Sequence, residues 1–210
     1  MSWLRKRGAL YLPHLLALLP LAWLLRDLLF GDLSADPIRD IQLRTGRYAL
    51  ALLVISLAST PLRSLFGGNW WGRLRRLTGL YAFGYATLHL FNFLGVDYQF
   101  NLTFLRADIL EKRYALVGLA AYLCLLPVAV TSTRGWRERL GPRWRRLHYL
   151  VYAASLLAVT HFVWQAKLDL RLPLASVVLV AVLLLVRLPV SRRVLRRLRG
   201  GAQKKSDSRA

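Results

Sequence analysis

The stretch LTGLYAFGYATLHLFNFLGV, residues 77–96, carries no Asp, Glu, Lys or Arg across twenty positions. A helix crossing the hydrocarbon core of a bilayer needs ~20 mostly apolar residues at ~1.5 Å rise each, and this run meets that length. Arg73, Arg75 and Arg76 stand just before it, and its one histidine, His89, lies well inside. Five more charge-free runs flank it, at residues 9–25, 48–62, 114–133, 147–166 and 172–186. Those at 114–133 and 147–166 have full spanning length. Those at 48–62 and 172–186 are extended by Arg47, Arg63 and Arg187, whose stems lie along apolar surface while their heads reach water. A backbone in lipid must satisfy its own hydrogen bonds, and nothing here alternates as barrel strands do. The expectation is an all-α integral membrane protein. It would be a six-transmembrane-helix bundle over residues 1–191, with a basic tail at 192–210.

Composition agrees with that expectation. The 210 residues are 56% hydrophobic and 20% charged, with a formal net charge of +21. A disordered basic chain would be poorer in apolar residues. Nucleic-acid binding would gather the cations on one folded surface, whereas here they sit between apolar runs, so nucleic acid is not expected as a partner. Membrane lipid is, because anionic headgroups attract such connections and the basic tail. One cysteine, Cys124, leaves no internal disulfide framework and no zinc ribbon.

Charge also orients the chain. With both termini on one side, that side collects 22 Lys and Arg against two acids, Glu138 and Asp207. The opposite side collects 9 against eight. The positive-inside rule then puts both termini in the cytoplasm. Residues 5–7, all basic, precede an apolar run with no small-residue cleavage site, which reads as a retained signal anchor.

Ionisable side chains inside a bilayer are costly and mark function. The acids all fall in connections or at helix ends, which argues against a transporter built on membrane-buried carboxylates. The spans contain histidine instead. His89 in the third and His161 in the fifth lie on helices of the same direction at similar depth, in the outer half of the membrane. Two imidazoles meeting at one depth form the axial ligand pair of a b-type haem, which would sit between helices 3 and 5. Two hydrogen-bonded structural histidines are the alternative. Ala82, Gly84 and Ala86 before His89, and Ala153, Ala154 and Ala158 before His161, are small enough for a flat macrocycle or for close helix packing.

His148 stands thirteen residues before His161, ~20 Å along a helix axis, which leaves room for a second haem in the inner half. Thirteen residues at 3.6 per turn leave the two rings off one face, so a bulge or tilt is required between them. The matching positions before His89 are Arg75 and Arg76. A guanidinium is a poor iron ligand but a good partner for a haem propionate. His14 has no depth-matched partner and reads as structural or headgroup-facing.

Several segments resemble the MsrQ family, also called YedZ, within the ferric-reductase-like transmembrane group. They are Arg75-Arg76-Leu77-Thr78-Gly79-Leu80, Ala86-Thr87-Leu88-His89-Leu90, Ala35-Asp36-Pro37, Thr45-Gly46-Arg47, Leu147-His148 and His161. The resemblance covers nearly the whole chain. It implies a haem-bearing subunit of the bacterial inner membrane, with haem b (one or two) and FMN as cofactors. Electrons would come from quinol or from a flavin reductase and pass to MsrP, a periplasmic molybdopterin enzyme that reduces methionine sulfoxide in oxidised proteins. Substrate chemistry then resides on the partner, and no catalytic residue is assigned here. His89 and His161 would be metal ligands, with His148 a further haem-associated residue. Family relatives often carry two histidines on each of these helices, and Arg75 or Arg76 stands where one is missing. The outer connections at residues 32–44 and 97–113 are the candidate docking surfaces. A stand-alone haem ferric reductase and a small non-redox transporter are the competing functions.

Overall fold

The computed structural model describes residues 2–166 and 169–187, so the tail at 192–210 lies outside the described residues. Among those described, the chain is helical throughout and contains no strand. In chain order the helices are α1 (Ser2–Phe30), α2 (Pro37–Phe66), α3 (Trp70–Phe91), α4 (Leu102–Glu111), α5 (Arg113–Val130), α6 (Arg134–Leu140), α7 (Pro142–Leu147), α8 (Leu150–Gln165) and α9 (Arg171–Leu185). A π-helical turn, Asn92–Asp97, continues α3. Each of the six apolar runs falls on one of the long helices α1, α2, α3, α5, α8 and α9.

Local chemistry sets the ends. Asp36 caps α2 by accepting from the Arg39 backbone N–H, Pro37 opens its first turn, and Gly67 closes it at φ 73°. Asn101 caps α4 through the N–H groups of Thr103 and Phe104. Gly141 and Pro142 separate α6 from α7. Pro37 and Pro142 thus stand at first turns, where a missing N–H costs nothing, whereas Pro13, Pro20, Pro61 and Pro127 lie inside helices.

Four segments are long and apolar enough to cross a membrane: Tyr11–Phe30, Pro37–Phe66, Arg113–Val130 and Pro142–Gln165. Of the other two, α3 is long enough at 22 residues but carries three arginines and His89, and α9 is apolar but only 15 residues long. The surface is that of a membrane protein. Leu29 is 79% exposed, Leu15 64% and Val178 63%, on helix faces that water would not tolerate in such density.

The bundle is two helical hairpins and two flanking helices. α2 lies along α3, and α5 lies along α8. α9 packs on α8 and α2, and α1 on α3 and α2. The hairpins meet through α3 and α5, whereas α3 and α8 scarcely approach each other through their backbones. Lipid gives little hydrophobic drive between helices, so packing falls to small side chains and interhelical hydrogen bonds worth about 0.6 kcal/mol each. Ala82 and Ala154, two turns before His89 and His161 respectively, are 1% and 0% exposed. Ser56 Oγ donates to the Arg75 carbonyl at 2.8 Å, between α2 and α3. Tyr85 OH donates to the Ala17 carbonyl at 2.8 Å and ties down α1. Arg187, just past α9, donates to Tyr152 OH at 3.0 Å and to the Leu57 carbonyl, joining α8 and α2.

Candidate functional site

His89 occupies the last turn of α3, and His161 lies near the end of α8. The fold brings them together: their ring centres are 6.1 Å apart and their planes cross at 86°. Both rings are half-buried.

Each ring is fixed by the facing helix of its own hairpin. His89 Nδ1 donates to the Gln42 carbonyl of α2 at 2.9 Å. His161 Nδ1 donates to the Tyr114 carbonyl of α5 at 2.7 Å. A carbonyl can only accept, so the proton sits on Nδ1 in both rings and the lone pair on Nε2. In both hairpins the histidine follows its carbonyl by 47 residues. In both, a glycine lies four residues past that carbonyl, Gly46 in α2 and Gly118 in α5, and the imidazole rests against it. The two hairpins therefore repeat one construction, although their sequences show no internal repeat.

The surroundings of the two Nε2 atoms differ. At His89, the Gln42 side-chain amide lies 3.1 Å from Nε2, and its oxygen accepts from Asn92 Nδ2 at 2.8 Å. Asn92 also donates to the Ile38 carbonyl at 3.0 Å. The π-helical turn begins at Asn92, so the side chain locking Gln42 sits where α3 changes pitch. At His161, Nε2 has no hydrogen-bond partner among the described residues.

His148 is set differently. It falls in the turn between α7 and α8, which end at Leu147 and begin at Leu150. That break supplies the bulge required between His148 and His161. Thr131 Oγ1 donates to the Pro127 carbonyl at 2.6 Å, which uses its one proton. It therefore accepts from His148 Nε2–H at 3.2 Å, so here Nε2 is protonated and Nδ1 carries the lone pair. The Trp144 ring lies 3.9 Å from the His148 ring, and Trp144 Nε1 donates to the Thr131 carbonyl at 2.9 Å. Arg75 is half-buried, within electrostatic range of His148, whereas Arg76 is exposed. Arg76 stands thirteen residues before His89 and Arg75 fourteen, and it is Arg75 whose charge the fold brings within range of His148. His14 joins neither group; its Nδ1 meets Tyr81 OH at 3.1 Å, linking α1 to α3.

The fit of an iron porphyrin rests on the histidine pair. A metal–imidazole bond is about 2 Å, and the ring centre lies about 1 Å behind the bonding nitrogen, so imidazoles on opposite sides of one metal have centres about 6 Å apart. The spacing of His89 and His161 matches that figure, and both rings carry the lone pair on Nε2, which at His89 accepts from the Gln42 amide and at His161 has no partner among the described residues. Among the described residues no three His, Cys, Asp or Glu side chains gather to hold a metal ion. Two imidazoles suit an ion whose other positions a macrocycle fills.

Residues 45–159 match the ferric reductase like transmembrane component family, a span that takes in both hairpins up to two residues before His161. The chain is 46% identical over 179 residues to the protein-methionine-sulfoxide reductase heme-binding subunit MsrQ of Xanthomonas axonopodis pv. citri, covering 82% of each chain. To the MsrQ of Rhodospirillum rubrum it is 46% identical over 178 residues, 84% of this chain and 86% of the relative. To that of Xanthomonas campestris pv. campestris it is 47% identical over 152 residues, 72% and 70%. The chain belongs to the MsrQ family. Membership agrees with a helical membrane protein whose histidines meet between two hairpins.

Sequence reasoning found the three histidines and the arginine pair but missed what holds them. Gln42 and Tyr114 act through backbone carbonyls, which side-chain chemistry does not reveal. Trp144 packs on His148, a contact that the sequence does not reveal. Gly46 and Gly118 carried a readable signal, the equal spacing of glycine and histidine in the two hairpins.

The connection at residues 97–113 has its own clip. Tyr98 OH and Lys112 Nζ both donate to Asp108 Oδ2, at 2.8 and 2.9 Å, and Lys112 Nζ also donates to Tyr98 OH at 2.7 Å. The bonds from Lys112 and then Tyr98 hold the Asp108 carboxyl below its usual range. The Tyr98 bond, then Asp108, pushes the Lys112 ammonium above its own.

Proposed function

We propose that this chain is the haem-bearing membrane subunit of a two-component protein-methionine-sulfoxide reductase. His89 and His161 would hold a haem b between α3 and α8. One observation carries the reading: two imidazoles at ligand-pair spacing, each fixed by a carbonyl at Nδ1 so that the lone pair lies on Nε2. To coordinate, His89 must first release the Gln42 amide from its Nε2. When bound, haem supplies a one-electron iron couple. The chain's own residues hold and orient it, keep the proton on Nδ1, and separate it from lipid.

The same reading takes α1, α2, α3, α5, α8 and α9 as six spans, with both termini cytoplasmic and the protein in the bacterial inner membrane. Arg75 and Arg76 lie at the cytoplasmic end of α3 and are placed to pair with anionic propionates. His148 is a second cofactor contact there, for a second haem or another acceptor of electrons. To coordinate through Nε2 it must first leave Thr131. Electrons enter at this end from quinol or from a flavin reductase, with FMN as an intermediate carrier. They leave at the other end to an MsrP-type molybdopterin reductase that docks on residues 32–44 and 97–113. The names of the relatives support haem and the sulfoxide reductase system.

The test is an absorption spectrum of the detergent-purified protein, oxidised and reduced, with haem quantified. A low-spin b-type spectrum that disappears in His161→Ala is expected. A colourless protein made with ample haem, or a His161→Ala variant with an intact six-coordinate spectrum, would overturn the ligand assignment. Loss of periplasmic methionine sulfoxide repair in a deletion strain is expected of the two-component role. Intact repair would favour a stand-alone reductase of small acceptors.

A further inference from the structure

The two helix glycines facing the histidines have the closest neighbours of the described glycines, ahead of Gly95 of the π-helical turn, where a Cβ would stand 3.1 Å from the Phe100 ring. A Cβ built on Gly118 would stand 2.8 Å from His161 Nδ1 and 2.9 Å from its Cε1. One built on Gly46 would stand 3.0 Å from both Nδ1 and Cε1 of His89. In both cases the intruded atom is the nitrogen that donates to the carbonyl one turn earlier, or its ring neighbour. The ring cannot back away without giving up that bond. Gly84 on α3 and Gly72 beside its start have nothing within 4 Å of such a Cβ, and Gly79 meets only Ser56 Oγ and Cβ, the nearer at 3.2 Å. Glycine in a helix interior weakens the helix, so a glycine in each hairpin at the one point where an imidazole touches the backbone calls for a local cause.

We infer that Gly46 and Gly118 are positioning residues. Each forms, with the carbonyl one turn before it, a slot that sets the plane of one imidazole, and the two slots together impose the crossed arrangement of His89 and His161. Neither glycine touches iron; each acts through the ring it seats. The carbonyl fixes where Nδ1 points, and the missing Cβ lets the ring lie flat against the helix and keeps it from turning about that bond. The inference rests on the haem reading and adds what determines the ligand planes. With planes 86° apart, the low-spin ferric protein should show the large-gmax electron paramagnetic resonance signal of crossed imidazoles.

The experiment compares Gly46→Ala, Gly118→Ala and Gly84→Ala with the wild type in detergent. It measures haem per chain, the low-spin resonance spectrum and the midpoint potential, with gel filtration as the check of folding. Gly84→Ala should match the wild type in all three. Gly118→Ala, the tighter site, should lose most of its haem, or keep it with gmax lowered and the potential shifted. Gly46→Ala should shift in the same direction by less. Folded Gly46→Ala and Gly118→Ala variants with native haem content, gmax and potential would overturn the inference while leaving the haem reading intact. If both fail to fold while Gly84→Ala folds, the glycines serve helix packing and the inference is likewise overturned. A misfolded Gly118→Ala beside a folded, spectrally shifted Gly46→Ala upholds it. A wild type without haem would sink the haem reading itself, and this inference with it.

Discussion

The two ends of the paired hairpins follow one plan to different results. At one end His89 and His161 are mirror constructions, each held by Nδ1 on a carbonyl and seated on a glycine. At the other, thirteen and fourteen residues back from His89 stand Arg76 and Arg75, and thirteen back from His161 stands His148, with Arg75 the arginine within its range. There the histidine is held by Nε2, on a hydroxyl, with a tryptophan stacked on it. Symmetry at the first end suits a ligand that needs the same bond from both sides. Its loss at the second suits a site where the two sides do unlike things, one offering a fixed positive charge and the other a ring that can change its hydrogen bond.

The largest expected effect comes from breaking the symmetric end. His89→Ala or His161→Ala should remove its haem and stop electron delivery, read by the haem assay and by reduction of the partner. His148→Ala should do less. The crossed-imidazole resonance signal should persist and any loss of pigment should be confined to a second species; disappearance of the whole spectrum would show that the two ends are not independent. Arg75→His sharpens the comparison, because Arg75 is the α3 residue within range of His148. A rise in haem per chain or a second bis-histidine signal is expected, and an unchanged spectrum would mean that position 75 and His148 do not share a ligand.

How much of this was legible beforehand depended on whether a feature is carried by side chains. Helical class and the apolar runs followed from hydropathy. Equal depth on parallel helices led to the expectation that His89 and His161 meet, but depth does not fix which way a ring faces, and α3 and α8 scarcely approach through their backbones; the carbonyls of Gln42 and Tyr114 turn the rings toward each other. The break at His148 and Tyr149 was required by helical arithmetic, but its place was not, because nothing in Leu147-His148-Tyr149 is a helix breaker. The asymmetric protonation of His148 was out of reach. It depends on Thr131 spending its single proton on Pro127, a fact of tertiary geometry.

Smaller effects test the supports. Asp27 is nearly buried at the end of α1 and pairs with Arg44 of α2 as well as Arg26. Asp27→Asn should cost on the order of 2 kcal/mol, seen as a lower melting temperature in detergent with the haem spectrum unchanged while the protein is folded. The Tyr98–Lys112–Asp108 clip should matter least, since Asp108 and Lys112 are both partly open to solvent. Its pH dependence has a definite sign. The lowered Asp108 group contributes stability that is lost as pH falls through its depressed pKa, and the raised Lys112 group stability that is lost as pH rises through its elevated one. Proteolytic nicking at residues 97–113 should therefore be flat between about pH 5 and about pH 9 and rise only outside that window. Lys112→Ala should raise it slightly throughout.

The length of α2 has a consequence for how the bundle sits in a bilayer. Its 30 residues measure about 45 Å at ~1.5 Å each, roughly 15 Å more than the hydrocarbon core. The excess must tilt or protrude. Gln42 and Gly46 belong to the first ten residues of that helix, so the groups that seat His89 lie toward one end of α2 and away from its middle. A haem held there would be nearer one face of the bilayer than the other, and a partner docked on that face would not have to reach across the whole membrane.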